Sequence, residues 1–500
     1  MNKVMNGLKK AIVDNKVIAL FVVLCVGCML IADTNISYIV GEVFSRFSRN
    51  ACLVLSLIIP CLAGLGMNFG IVVGAIAAQI SIFAVVHWGF TGLGGFALCI
   101  LLSTPLAILF GWLVGKLYNN TKGSEMIAGL ILGFFAAGLY RLLVLYIIGG
   151  VIPFDDPNLL PRGFGLRNAY DLTGNLKYAL DDISFLNVCV VLGVIALLAA
   201  AVTTAYGKKT GQPADKKGTM QKVIIGVAAL AFGLTGRFVP MINILFGGNR
   251  LILTDVALFG GLALIIVSVI KIALSLKKGE KAVGKQVGFA VVGILLMVGT
   301  VVPAVRTIYQ AVALPSATYG IIVLFCFFNN WIMETRLGQN MRTVGQNRAV
   351  ATSAGIDVDK TRIIATCIST VLAAWGQLIF LQNLGTFNTV QQQDNVGLYS
   401  VAAILVGGAT VQKANNRHAT VGVVLFHTLF VVAPLAATKL VGDSAISEYI
   451  RMFISYGVIA VSLALHAWKS TGGKKSKEKA AAEGQTAAML QPMAGGDIPE

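Results

Sequence analysis

The feature that most constrains this chain is the recurrence, from residue 17 to residue 468, of apolar runs about 20 residues long. That is the length a helix needs to cross a hydrocarbon core. In lipid every backbone N–H and C=O must be bonded within the protein, so each such run is expected to be a helix. About fourteen segments begin, near residues 17, 50, 69, 92, 126, 183, 222, 251, 286, 315, 363, 397, 419 and 450. Those from 50 and 397 are short or interrupted by glycine and read as half-helices or broken helices. Of the 500 residues 56% are hydrophobic and 12% charged, with a mean hydropathy of +0.81, so most of the chain faces something other than water. The expected fold class is all-α, a polytopic transmembrane helical bundle.

The formal charge of +17 is distributed in a way that argues about topology. Lysine and arginine cluster at 3–16, 116–122, 208–222, 277–285, 336–362, 413–417 and 469–479. With a cytoplasmic N-terminus and one crossing per segment, every cluster falls on the cytoplasmic side, as does the C-terminus. The acidic stretches "PFDDPN" and "ALDDIS" then lie in an external loop, 151–182. The charge is thereby assigned to topology and contact with lipid headgroups, and no nucleic acid is expected.

Chemistry-bearing motifs are absent. The eight cysteines sit within apolar segments as small hydrophobes. Cys25 and Cys28 have metal-like spacing, but no second ligand pair follows, so no metal is expected. The four histidines are scattered, and "GKKT" at 207–210 lacks the earlier glycine of a phosphate-binding loop. No catalytic residue and no cofactor are assigned. Arg237 and Asp255, on neighbouring segments, are expected to pair, while Arg141 and Lys271 are expected to reach toward an interface.

Small and polar residues gather in three places. In "GLGMNFGIVVGAIAAQ", 64–79, Gly66, Gly70 and Gly74 recur every four residues, the spacing of one helical face open to close packing. Packing accounts for the glycines but not for Asn68 and Gln79, whose amides need partners. In 383–422, a polar loop with Asn383 and Asn388 precedes a segment ending in Gly407 and Gly408. The third is "MRTVGQNRAVATSAGIDVDKTR", 341–362, polar between two apolar segments. Asn347 can cap a short helix from Arg348 to Ala354, and Gly355 can end it in a left-handed conformation. Asp359 or Thr361 then caps the next span. Ala349, Ala351 and Ala354 permit close docking, and Arg342 and Arg348 offer charge-assisted contacts.

This last stretch, with the residues before it, resembles the cytoplasmic coupling segment of ABC importer permeases of the ribose, simple-sugar, nucleoside and branched-chain amino acid type. Thr335, Arg336, Gly338, Arg342, Val344, Gly345, Asn347, Ala351, Ala354, Gly355 and Ile356 match that pattern in order. Asn68, Gly70 and Ile71 resemble an element of the nucleoside-type members, with Val72 where those carry an acid. "KGSEMIAGLILGFF", from Lys122, is similar to a helix start in the same members.

The resemblance implies a permease subunit of the plasma (inner) membrane that forms the path for a sugar or nucleoside. Its expected partners are ABC ATPase subunits, a second permease of the same or a different chain, and a soluble solute-binding protein that delivers a small polar solute. Coupling to the ATPase falls to Arg342, Gly345, Asn347, Arg348, Ala351, Ala354 and Gly355. Path residues chosen for their amides are Asn68, Gln79, Asn383 and Asn388. Branched-chain amino acids or another small polar solute, or a secondary transporter without an ATPase, are the alternatives. The organisation expected is N-terminal helices 1–150, external loop 151–182, inserted accessory helices 183–310, C-terminal helices 311–468 and a disordered tail 469–500.

Overall fold

The computed structural model describes residues 16–121, 123–153, 156, 159–160, 165–210, 216–277, 284–389, 392–442, 446, 449–454, 456–457 and 459–461. The tail 469–500, the N-terminal lysines up to residue 15, and most of the basic loops near 211 and 280 lie outside the described residues.

The fold is all-α. Its first half contains α1 (Lys16–Ala32), α2 (Ile36–Leu55), α3 (Ile58–Leu62), α4 (Ile71–His87), α5 (Gly92–Asn120) and α6 (Glu125–Leu142). A short strand β1 (Ala169–Asp171) leads to α7 (Phe185–Thr210), α8 (Lys216–Thr235), α9 (Pro240–Phe246), β2 (Arg250–Ile252), α10 (Leu253–Lys277), α11 (Gly284–Val301) and α12 (Pro303–Ala311). Then follow β3 (Ala313–Pro315), α13 (Ser316–Glu334), α14 (Arg336–Gln346), α15 (Arg348–Ser353), α16 (Val358–Leu384), β4 (Thr386–Asn388), α17 (Gln392–Val406) and α18 (Asn416–Val441). Among the described residues nine helices are long and apolar enough to span a bilayer, or ten if the bent pair α11 and α12 is one span.

The segment expected from residue 50 starts at Ile36, and a break between α2 and α3 interrupts it. Charged and hydroxyl residues in its first half hide it from a hydropathy reading. Gly66 and Gly70 do not share a helical face with Gly74, because α4 begins only at Ile71 and Gly66 adopts a positive φ of 75° in the irregular turn before it.

The core lies where α2, α4, α5, α16 and α18 meet, and it is filled by small and branched side chains such as Ala51, Leu53, Ala77, Ala374 and Val423. Chain direction is read from contacts at the two ends. At one end Asn119 donates to the Asp359 carbonyl at 3.0 Å. Arg336, Arg342, Lys360, Lys413 and Arg417 are exposed at this same end. At the other, β1 pairs antiparallel with β4, and Asp33 meets Lys439 at 3.2 Å.

Among the described residues of 183–310, α7 packs along α8 and α10 along α11. In the first pair, a Cβ on Gly193 would lie 2.9 Å from the Gly226 carbonyl, so the two backbones touch. Arg237 does not pair with Asp255; it donates to Asn187 Oδ1 at 2.5 Å, the nearer acceptor across that pair. Arg141, expected at an interface, instead forms an ion pair with Asp394 of α17.

Candidate functional site

The polar stretch 341–362 sits at the basic end as two consecutive helices and a turn. Asn347 stands between α14 and α15, and its Oδ1 accepts from the Ala349 and Val350 amides at 3.0 and 3.3 Å. This cap satisfies two of the amides that begin a helix. Helix α15 ends one residue earlier than expected, with Ala354 as its cap, and Gly355 follows at φ 75°. The next span is capped by Asp357, whose Oδ1 accepts from the Lys360 amide at 2.9 Å; Asp359 and Thr361 lie inside α16 and do not cap it.

What fixes α14 against the bundle is backbone contact. A Cβ on Gly64 would lie 2.7 Å from the Gly345 Cα, and one on Gly345 would strike the Leu62 carbonyl. Only glycine fits on both sides of this crossing.

Glu125, at the start of α6, fixes α15. Its Oε1 accepts from Arg348 at 2.5 Å and from Arg362 at 2.5 Å, and its Oε2 accepts from the Gly123 amide at 3.1 Å. Arg362 is fully buried and also donates to the Tyr118 carbonyl at 3.2 Å. One carboxylate therefore ties the short helix to the ends of α5, α6 and α16. A cleft of about 410 Å³ opens beside this node, lined by Gly64, Gly66, Glu125, Gly345, Arg348 and Gln412.

The expected coupling residues divide by orientation. Ala351 is turned into the chain's own interior, because the cap and the Glu125 contact set the roll of α15. It positions the helix and offers no docking surface. Ala349, Val350, Thr352, Ser353, Ala354 and Gly355 form the exposed side, and Arg342 is exposed on α14.

The expected path residues lie on different elements: Asn68 in the turn before α4, Gln79 on α4, Asn383 on α16 and Asn388 in β4. Asn68 is buried; its Oδ1 accepts from Tyr118 at 2.7 Å and from the Gly70 amide at 2.9 Å, and its Nδ2 donates to Ser369 at 3.3 Å. These bonds engage both ends of its amide within the chain. Gln79 is buried on α4, and neither amide atom has a hydrogen-bond partner among the described residues. Asn383 donates to Asp181 Oδ2 at 2.9 Å and accepts from Arg49 at 2.7 Å. Asn388 is half-buried in β4, with its backbone N–H on Gln392 Oε1 at 2.8 Å.

Sequence reasoning did not single out Glu125, Tyr118, Arg362 or Asp181. The available signals were an acid opening one apolar segment and a base opening another, since a charge at such a place needs a partner.

The fold and this end face define a multi-pass helical membrane protein with a rigidly seated polar projection. The chain belongs to the family described as branched-chain amino acid transport system / permease component, which it matches over residues 192–463. It is similar to the autoinducer 2 import system permease protein LsrC of Enterobacter sp. (strain 638), 29% identical over 22% of this chain and 32% of that protein. It is also similar to the xylose transport system permease protein XylH of Haemophilus influenzae, 27% identical over 33% of this chain and 41% of that protein. The matched chain thus spans less than half the length of either relative. No solved structure matches it.

Proposed function

We propose that this chain is the membrane-spanning permease subunit of an ATP-driven importer of the inner membrane, with α15 as the element on which a separate ATPase acts. The observation that carries this reading is the Glu125 node. A helix of six residues, capped by Asn347 and clamped through Arg348, is stiff enough to transmit a push, and the shared carboxylate passes it to three spans. An unclamped loop would absorb the same displacement. The basic residues at this end support a cytoplasmic position for it. A second permease, a soluble solute-binding protein outside and ATP hydrolysis in the partner subunit complete the reading.

The relatives named for autoinducer 2 and xylose support a sugar-like, hydroxyl-rich solute, and a nucleoside belongs to the same chemical class. The family description supports a branched-chain amino acid as the second reading. In the path, Gln79 is the strongest of the four amides, since its hydrogen-bonding capacity is unused among the described residues. Residues 183–310 are an accessory helical unit in this reading.

The test is reconstitution of the chain with its ATPase in proteoliposomes, with and without solute-loaded binding protein. Uptake that requires ATP and loaded binding protein is expected. Uptake driven by an ion gradient without ATP would point to a secondary transporter instead.

A further inference from the structure

A pocket of about 20 Å³ lies where the turn before α4 meets α6 and α17, lined by Phe69, Val72, Gly133, Asp394, Gly397 and Leu398. That is room for one water molecule or one hydroxyl group. The space exists because two of its walls are glycine. A Cβ on Gly133 would lie 3.6 Å from the Phe69 carbonyl oxygen, and one on Gly397 would lie 3.4 Å from the same oxygen and 2.9 Å from Val72 Cγ2.

Two acceptors border this space. Asp394 is tied through Oδ2 to Arg141, and its Oδ1 is buried with no hydrogen-bond partner among the described residues. The Phe69 carbonyl accepts from the Val72 amide at 3.4 Å, and a carbonyl has a second lone pair to offer. Gln79 lies on the same face of α4 as Val72, seven residues and about two turns further along. It is fully buried, and neither of its amide atoms has a partner among the described residues. Asp394 and Gln79 are both on the side of the Val72 and Gly397 contact away from the Glu125 node, since Arg141 ends α6 where Glu125 opens it.

We propose that this pocket is the narrow point of the solute path, where Asp394 Oδ1 and the Phe69 carbonyl accept hydroxyl hydrogens from an uncharged, hydroxyl-bearing solute and Gln79 makes the next polar contact. The proposal rests on the permease reading and narrows its solute to a neutral polyhydroxy molecule. Three physical arguments support it. Arg141 and Asp394 keep 39% and 26% of their side chains exposed, and a half-exposed ion pair along a span is costly against hydrocarbon but not against water. Unused acceptors at a carboxylate attract hydroxyl donors and repel a carboxylate or phosphate. Arg141 offsets the Asp394 charge, so a cation gains little there.

The test uses the full-length chain in lipid nanodiscs, carrying either Leu398→Cys, at the pocket, or Phe135→Cys. Phe135 is two residues on from Gly133, hence on the opposite side of α6, and is 66% exposed. A water-soluble, permanently charged methanethiosulfonate is applied, and modification at each position is read by peptide mass spectrometry. Position 398 is expected to react about tenfold faster than position 135, because the thiolate is the reactive form and an apolar setting suppresses it. At least one of D-xylose, D-ribose and uridine is expected to slow the reaction at 398 about tenfold when present at ten times its Kd. Ribose 5-phosphate, leucine and sodium chloride in place of choline chloride should not.

Gly133→Ala, combined with Leu398→Cys, puts a methyl group into the pocket at ordinary contact distances, so folded yield should hold while protection is lost. Gly138→Ala meets open space on the same helix and should retain protection. Equal rates at 398 and 135, protection by none of the neutral probes, protection by ribose 5-phosphate, leucine or sodium, or undiminished protection in Gly133→Ala would each overturn the proposal. ATP hydrolysis does not enter this readout, so its failure is separate from failure of the permease reading.

Discussion

Arg348 and Arg362, in different helices, donate to the same oxygen, Glu125 Oε1, each at 2.5 Å. Their surroundings differ: 36% of the Arg348 side chain is exposed, whereas Arg362 is 0% exposed. Removing the shared carboxylate leaves a buried cation unpaired, which costs about 3–5 kcal/mol. Glu125→Ala is therefore expected to reduce folded protein sharply, measured as recovery in detergent size-exclusion chromatography. Arg348→Ala removes a half-exposed contact worth at most about 1 kcal/mol and should leave recovery near wild type. Equal losses in the two variants would contradict this division of roles.

The crossing of Gly64 and Gly345 makes a second contrast. Gly345→Ala forces its Cβ into the Leu62 carbonyl, and backbone cannot yield as a side chain does. A loss of about 1–3 kcal/mol is expected, as in other overpacked contacts. Gly355→Ala meets open space and carries only the strain of its positive φ, about 1 kcal/mol. Thermal unfolding midpoints should rank wild type first, Gly355→Ala next and Gly345→Ala last.

Much of this architecture was legible from residue type and spacing alone. The apolar runs marked the spans, and Asn347 and Gly355 marked the ends of the short helix, because caps and positive-φ positions are local chemistry. What stayed hidden depends on distant partners. Glu125 meets residues more than two hundred positions away, and nothing in the sequence around Ala351 states that it turns inward. Asn68 and Gln79 look alike as amides in an apolar setting, and what separates them is that Asn68 meets Tyr118 and Ser369, both distant in sequence. The first half of α2 was overlooked because Glu42, Arg46 and Arg49 disguise a span as a loop.

The two amides are expected to part on substitution. Asn68→Leu strands the Tyr118 hydroxyl and the Gly70 amide in the interior, so it should lower stability by about 1–3 kcal/mol and the amount of folded protein with it. Gln79→Leu removes a buried amide that bonds to nothing among the described residues, so folding should be unimpaired. If Gln79 serves the solute, uptake per assembled complex nevertheless falls. Unchanged normalised uptake in Gln79→Leu would remove it from the path.

Sidedness is open to labelling at described, exposed positions. In a background lacking the eight cysteines, Thr386→Cys beside β1 should react with an impermeant maleimide applied outside intact cells. Lys413→Cys, at the basic end, should react only after permeabilisation. The reverse pattern would invert the whole topology.

The central claim is that the exposed side of α15 receives the push of an ATPase. Ala354 is exposed at the end of the helix, whereas Ala351 packs inward. Ala354→Trp should therefore keep the chain inserted and folded while placing a bulky ring between α15 and its partner. The decisive measurement is ATP hydrolysis by the reconstituted complex with and without solute-loaded binding protein. The account predicts that Ala354→Trp retains wild-type folded yield but loses solute-stimulated hydrolysis. Full stimulation in that variant would contradict it and leave residues 341–362 as a well-capped connector between two spans.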